Sequence, residues 1–392
     1  MTDTPAPRRI APDRVGGAAA VVVAAMLFVP KLIAPPPPDD WDYAPAAAIG
    51  FAGACLCRTG YRALGLVPVA AIVVLATTVV GDTPATLLVR AGASGLLVGA
   101  LVRYVARNGG RNLPTFRLGT SDWLLLAGFL FGAIAFRTGA PAAWDAPSVA
   151  LAALGFGAAF ASVRLFRPFF ELSVEPFVAL MYRIRGVGPG ANAVPYGGPL
   201  LVVANHACFL DPLFLAQLLP RPITPMMTSL FFDVWFLKPL MVHVFGTIRV
   251  PDERIRRTAP ELGEAIAALD AGKCVVIFPE AYLRRKEEQP LRRFGRGAFE
   301  ILKARPATPV MACWIEGGWG SFFSHRGGPP GKNKRPDFRR RIRVAMGPVG
   351  PVPAAWLGDH MTLRLGLMDE VAATRAHLGL PALPPFAVGE PH

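Results

Sequence analysis

"LVVANHACFLDP", residues 201–212, carries a run of β-formers into an Asn–His pair, and Asp211 follows His206 by five places. Pro212 and a second apolar run, "LFLAQLL", come next. Burying a histidine or a carboxylate between two hydrophobic segments is costly unless the two satisfy each other. On a continuous helix a spacing of five turns the side chains about 140° apart. Across a strand–turn–helix junction they can meet, with His206 at the strand end, Asp211 at the N-cap of the next helix and Pro212 at its first position. Asp211 then hydrogen-bonds one imidazole nitrogen, fixes the tautomer and leaves the other nitrogen as a base. A buried histidine satisfied by a local acid fits the same residues, and spacing alone does not separate the two readings.

Outward from this stretch, short β-rich runs alternate with helical segments. The strand candidates are "PLLVVAN" (199–205), "ITPMMTS" (223–229), "HVFGTIRV" (243–250), "CVVIFPE" (274–280), "TPVMACWI" (308–315) and "RIRVAMG" (341–347). Several are apolar throughout, as strands covered on both faces are. Thr258 and Glu261 form a capping box with Pro260 at an early helical position, and that helix runs to about Ala271 with Gly272 beyond. Gly297–Arg305 is a second helix, stopped by Pro306, and 355–378 closes the domain. The pattern predicts an α/β domain over 167–370, a helix-flanked and mostly parallel sheet, with 371–392 as a tail. The segment "LFFDVWFLKPLMVHVF" (230–245) has helical length but is too apolar for a soluble surface. Of a buried helix and one lying against a bilayer, the apolar N-terminal half favours the second.

That N-terminal half changes the class of protein. The net charge of +14 divides as +5 before residue 166 and +9 after it, and the basic half adjoins long hydrophobic stretches. Anionic lipid headgroups are the matching counter-charge. Nucleic acid is not: the basic run at 335–343 stands without any recognition motif. A membrane helix needs about 20 mostly apolar residues. Residues 16–34, 63–80, 85–105, 121–137 and 146–164 fit, and 43–57 is a short sixth candidate. Arginines in alternate connections give consistent sidedness only if 43–57 also spans. The expectation is a transmembrane helical region over 1–165 with about six spans in the inner (cytoplasmic) membrane, and the C-terminal half in the cytoplasm. The first segment reads as an anchor rather than a cleaved signal peptide, and Arg90 as a snorkelling side chain. The five cysteines, at 55, 57, 208, 274 and 313, have no disulfide or zinc spacing and suit a reducing compartment.

The stretch "NHACFLDP" resembles the first signature block of the phospholipid/glycerol acyltransferase family, the PlsC-like group that includes lysophosphatidate acyltransferases. The lead-in "RIRGVGPGANAVPYGGPLLVVANH" is similar to that family's basic strand, Gly/Pro turn and strand into Asn–His. "FGTIRV" (245–250), "VVIFPE" (275–280), "RRFGRGAFEILKA" (292–304) and "TPVMACWI" (308–315) resemble the blocks that follow, in order. The resemblance covers about 167–370 and leaves the N-terminal half outside.

The resemblance implies acyl transfer from acyl-CoA or acyl-carrier protein, as co-substrate, to the hydroxyl of a lysophospholipid such as 1-acyl-glycerol-3-phosphate. His206 would be the general base and Asp211 its orienting partner. Asn205, Arg249, Glu280, Arg284, Arg285 and Pro309 would bind substrate, with Pro309 and Val310 at the acyl end. The chemistry needs no cofactor, no metal and no acyl-enzyme; no G-x-S-x-G elbow occurs, and Cys208 occupies a variable position of its block. Membrane lipids are the implied partners.

Two departures from the family pattern bear on the acceptor. Asp252 stands where the second block usually ends in Arg; Arg249, on the strand, or Arg254 is the candidate to supply that charge, and both also read as solvated surface charges. "AYLRR" replaces the usual Gly-Thr-Arg after Phe-Pro-Glu, and Ala281 does not reach the Gly-only backbone region cheaply. The turn is expected to change shape, with Arg284, Arg285 or Lys286 standing in. The loop at 316–344 combines Trp319, Phe322 and Phe323 with a basic run, and reads either as a loop pressed on the membrane or as a solvated hairpin. The alternative function is a multi-span transporter or lipid-handling protein with an inactive acyltransferase-like domain. Its spans lack ionisable residues suited to an ion relay.

Overall fold

A computed structural model describes residues 43–55, 60–80, 84–108, 166–235, 237–251, 259–332, 334–384 and 386. The chain divides into two compact units between Ser173 and Val174.

The N-terminal unit contains α1 (Ala44–Cys55), α2 (Leu66–Val80) and α3 (Pro84–Asn108). Pro84 opens α3, where its missing N–H costs nothing. Small residues let α1 and α3 touch backbone to backbone. A Cβ on Gly50 would lie 1.9 Å from the Gly92 carbonyl oxygen, and one on Gly95 1.9 Å from that of Ala47.

These helices sit where spans were expected, but the transmembrane reading is not supported by them. Among the described residues no helix is long and apolar enough to cross a membrane. The 12 residues of α1 and 15 of α2 reach only about 18 and 22 Å, against a hydrocarbon core of about 30 Å. The 25-residue α3 has the length but carries Arg90, Arg103 and Arg107. Arg90 Nη2 donates to the Thr77 carbonyl at 2.8 Å, within the last turn of α2. The expected spans 16–34, 121–137 and 146–164 lie outside the described residues.

The helix α4 (Phe166–Met181) leads directly into β1 (Tyr182–Val187) of the C-terminal unit. There follow β2 (Leu200–Ala204), α5 (Asp211–Leu218), β3 (Ile223–Thr228), β4 (Ile248–Val250), α6 (Pro260–Asp270), β5 (Cys274–Ile277), α7 (Gly297–Ala304), β6 (Val310–Glu316), β7 (Arg340–Gly350) and α8 (His360–Ala373). The seven strands form one sheet in the order β1-β7-β6-β2-β5-β3-β4. From β6 to β4 all neighbours run parallel, whereas β7 is antiparallel to β6 and carries β1 parallel to itself. This is the expected helix-flanked, mostly parallel α/β sheet.

β2 lies at its centre, and all five of its residues are fully buried. Alternation sends Leu201 and Val203 to a core filled by Leu269 of α6, Ile301 and Leu302 of α7 and Leu363 and Leu367 of α8. Leu200, Val202 and Ala204 enter the opposite core with Val178 of α4 and Phe214 and Leu215 of α5. Burying each large apolar side chain contributes roughly 1.5–3 kcal/mol, so the strand that delivers His206 is firmly held.

Several local expectations change. The segment 230–245 is not one helix: the single turn at Ser229–Phe232 gives way to non-helical turns from Asp233, and a wide π-type turn at Leu240–Phe245 then starts from Pro239, a residue tolerated at a helix start. Thr258 lies outside the described residues, and the helix starts at Pro260 with Ala259 as an N-cap that offers no side-chain bond. The presumed tail from 371 is part of the domain. Thr374, Arg375 and Leu378 are buried, and the Arg375 guanidinium lies 4.5 Å from the centre of the Trp314 ring.

Candidate active site

β2 ends at Ala204, and the next residue locks the strand end. Asn205 is 2% exposed; its Nδ2 donates to the Ile315 carbonyl at 3.1 Å, and its Oδ1 accepts from the Ile315 N–H at 2.6 Å. The side chain thus prolongs the β2–β6 ladder by one rung. His206 follows, with its ring stacked on Phe278 at 4.3 Å between centroids. A tight turn then delivers Asp211 as the first residue of α5, with Leu210 in the N-cap position. The expected N-cap role for Asp211 is replaced by a backward one. Its Oδ2 accepts from Ala207 N at 2.7 Å, Cys208 N at 2.9 Å and His206 Nδ1 at 2.9 Å. A carboxylate only accepts in these bonds, so Nδ1 carries the proton and Nε2 keeps its lone pair. Asp211 is completely buried while the His206 side chain is 18% exposed, so the acid is sheltered and the base has access to solvent.

The Phe-Pro-Glu turn after β5 holds the histidine from the other side. Glu280 Oε1 accepts from the His206 N–H at 2.7 Å and Oε2 from the Arg292 N–H at 2.8 Å. Burial pushes the Glu280 carboxyl up to about 8, against the pull of those two N–H groups. Ala281 has φ 61° and donates its N–H to the Phe278 carbonyl at 3.0 Å. Holding an alanine in that left-handed region costs on the order of 1–3 kcal/mol.

A loop from Gly317 to Asp337 folds over the other side of the His–Asp turn. Phe209 N donates to the Phe323 carbonyl at 3.2 Å, and Cys208 forms a β-bridge with Ser324. Gly318 sits against the acid: a Cβ there would lie 3.2 Å from Asp211 Oδ1. Arg340 donates to the carbonyls of Gly317 and Trp319 at 2.7 and 2.9 Å, holding the loop's start. In this loop Phe323 packs against the core, and Trp319 lies beneath the Arg284 guanidinium, 4.6 Å from it.

Residues 189–316 match the family model described as Acyltransferase. That stretch of the C-terminal unit is an acyltransferase-family domain. Uncharacterized proteins of Mycobacterium bovis (strain ATCC BAA-935 / AF2122/97) and Mycobacterium tuberculosis (strains CDC 1551 / Oshkosh and ATCC 25618 / H37Rv) are 29% identical over 163 residues. The match covers 39% of this chain, which spans only 44% of the length of those relatives. The crystal structure of the 1-acyl-sn-glycerophosphate (LPA) acyltransferase PlsC from Thermotoga maritima is similar at 17% identity and a TM-score of 0.38, covering 67% of this chain and 98% of that one.

Within the acyltransferase domain, His206, Asp211 and Glu280 converge. Arg284 joins them through its backbone, donating its N–H to the His206 carbonyl at 2.8 Å. Its side chain folds back, with Nε on the Lys286 carbonyl at 2.9 Å and Nη2 on that of Glu287. Asn205 is a brace and not a substrate contact, since Ile315 takes both ends of its amide. Pro309 does not line the site either. β6 runs parallel to β2 with Val310 beside Leu201, so Pro309 lies at the far end of the strand, roughly 20 Å from His206. Arg249 reaches the correct edge of the sheet but lies three strands away, roughly 14 Å. There its Nε donates to both oxygens of Asp233, at 3.1 and 2.9 Å. Cys208 is fully buried, and that burial, reinforced by Asp211, raises its thiol well above the ordinary range, so it stays protonated and is no nucleophile.

Sequence reasoning missed Phe278 as the platform for the ring, the Arg292 N–H on Glu280, and Gly318 over Asp211. Phe278 was legible within the Phe-Pro-Glu block. Gly318 and Arg292 touch the site through chain segments far from 206 and left no local signal. Among the described residues no group of three His, Cys, Asp or Glu side chains is placed to hold a metal ion.

Proposed function

We propose that this protein is an O-acyltransferase that moves a fatty acyl group from a thioester donor, acyl-CoA or acyl-carrier protein, to the hydroxyl of a lysophospholipid such as 1-acyl-glycerol-3-phosphate. The observation that carries the reading is the 2.9 Å bond from His206 Nδ1–H to the buried Asp211, which leaves Nε2 as an accessible base. Nε2 takes the proton of the acceptor hydroxyl as its oxygen attacks the thioester carbonyl. The tetrahedral intermediate collapses, the C–S bond breaks, and the departing sulfur takes the proton back from the imidazolium. Asp211 stabilises that cation and keeps the ring in place; general-base help of this kind is typically worth 10²–10⁴-fold in rate. Glu280 acts through the backbone of His206 and is a positioning residue.

An acceptor of this class is a membrane lipid. The reading therefore places the domain at the cytoplasmic face of the inner membrane, in glycerophospholipid synthesis or remodelling. The second reading, a lipid-handling protein with an inactive acyltransferase-like domain, is disfavoured by the intact His206–Asp211–Glu280 geometry.

The test is turnover of acyl-CoA and of acyl-carrier-protein thioester by membranes carrying the full chain, with a panel of lysolipids, for the natural sequence and His206→Ala. Turnover that depends on His206 supports the reading. Equal turnover by the variant ends the dyad mechanism, and no turnover on any lysolipid with either thioester favours the inactive-domain reading.

A further inference from the structure

Beside the His–Asp turn, two loops bring together three basic side chains that the turn itself does not use. The first loop leaves from Arg284, whose N–H is bonded to the His206 carbonyl, and its next residue is Arg285. The second leaves from Ser324, bridged to Cys208, and its next residue is His325. The two meet: Arg285 Nη1 lies 2.9 Å from His325 Nδ1. A guanidinium has only donors, so Nδ1 must accept, and His325 is neutral with its proton on Nε2. Partial burial and the adjacent Arg285 and Lys334 both lower its proton affinity, in agreement with that tautomer. Lys334 completes the group, its Nζ donating to the Ser324 carbonyl. The Phe209 ring, from the His–Asp turn, meets the His325 ring edge-on at 6.3 Å. A 3.0 Å ion pair between Arg326 and Glu287 ties the two loops together next to this cluster.

We propose that Arg285, His325 and Lys334 form the seat for a phosphate monoester on the acyl acceptor, and so select acidic lysolipids over neutral ones. This inference rests on the acyl-transfer reading and deepens it. Arg285 keeps further N–H donors, His325 presents Nε2–H, and Lys334 has two N–H groups beyond the one on Ser324. Together they offer charge and several donors to a dianion, and charge-assisted bonds to phosphate are the strong kind. Neutral His325 orients the Arg285 fork before any ligand arrives, so less rotamer freedom is lost on binding. The place fits as well. Arg285 and His325 each follow directly on a residue tied to the 206–208 turn, so the seat lies on segments that adjoin the base. His325 and Lys334 also lie beyond residue 316, where the acyltransferase match ends. The charge missing from the second and third family blocks is thus supplied from a loop outside them.

The experiment uses the full chain with Arg285→Ala, His325→Ala, His325→Gln and Lys334→Ala, and reads turnover and binding separately. KM for lysophosphatidate is expected to rise about tenfold or more in the three alanine variants, with kcat and the KM for acyl-CoA little changed and turnover of monoacylglycerol unaffected. His325→Gln, whose amide oxygen can still accept from Arg285, recovers part of the loss. Lysophosphatidate binding to His206→Ala, with and without Arg285→Ala, reports on the seat whether or not the chain turns over. Unchanged affinity for lysophosphatidate in all three alanine variants would overturn the proposal. So would a rise confined to the KM for acyl-CoA, which would assign the seat to the donor's phosphates. Absence of turnover with intact, Arg285-dependent binding would instead remove the acyl-transfer reading and leave the seat standing.

Discussion

Glu280 Oε1 accepts the main-chain N–H of His206 at 2.7 Å, so the acid of the Phe-Pro-Glu turn grips the backbone of the histidine and not its ring. The ring is left to Asp211, whose Oδ2 collects three N–H groups between 2.7 and 2.9 Å. Two buried acids thus divide the work, one locating the residue and the other orienting its imidazole.

The division predicts different outcomes for the two acids. Asp211→Asn removes the charge that stabilises an imidazolium and frees the ring to take the other tautomer. Turnover should drop by about 10²–10⁴-fold, close to the loss in His206→Ala, with the thermal midpoint much less affected. A loss smaller than tenfold would mean that the ring is oriented by something else.

Glu280 makes stability pH-dependent. Its folded-state value of about 8 lies above the ordinary 4.5, so the native protein holds a proton that the unfolded chain releases. The associated stabilisation is complete below about 4.5 and lost as pH rises through about 8. Thermal midpoints from pH 5 to 9 should therefore fall more steeply for the natural protein than for Glu280→Gln. Parallel slopes would show that Glu280 is ionised throughout.

Ala281 holds φ 61°, where a Cβ is unwelcome and glycine is not. Ala281→Gly should stabilise the domain by about 1 kcal/mol in denaturant titrations, with turnover unchanged. Destabilisation would indicate that the exposed methyl contributes more than its strain costs.

Gly318 leaves no room beside the acid, since an added Cβ would stand 3.2 Å from Asp211 Oδ1 and 3.5 Å from Ala207 Cβ. Gly318→Val should displace the carboxylate or the loop and cut kcat about tenfold or more, with Gly318→Ala milder. Steady-state kinetics of the pair, with circular dichroism as the folding control, decides it. Full activity in Gly318→Val would show that the loop moves away without disturbing Asp211.

Much of this arrangement was legible in the residue order. A strand of five apolar residues ending in Asn–His, an Asp five places beyond, and Phe-Pro-Glu after a second apolar strand are local features. Each was read at the place where the structure has it. The N-terminal helices were legible as helices, since apolar, small-residue segments favour that conformation. Their lengths were not: the 12 residues of α1 and 15 of α2 fall short of the spans expected over 43–57 and 63–80. Apolar runs continue past the point where a chain turns, so hydropathy alone did not mark the ends.

The order of residues by itself determined which strands are central, because β2 and β5 are apolar at every position and only a doubly covered sheet buries both faces. It also made the His206–Asp211 contact legible, because the two lie five residues apart across a single turn. Tertiary structure alone decided what each remaining polar group does. Asn205 braces Ile315 because β6 runs beside β2; Pro309 lies at the far end because that pairing is parallel; Arg249 finds Asp233 because β4 forms the edge. His325 meets Arg285 across 40 positions. Contacts between distant segments depend on strand order and loop course, which no local pattern encodes.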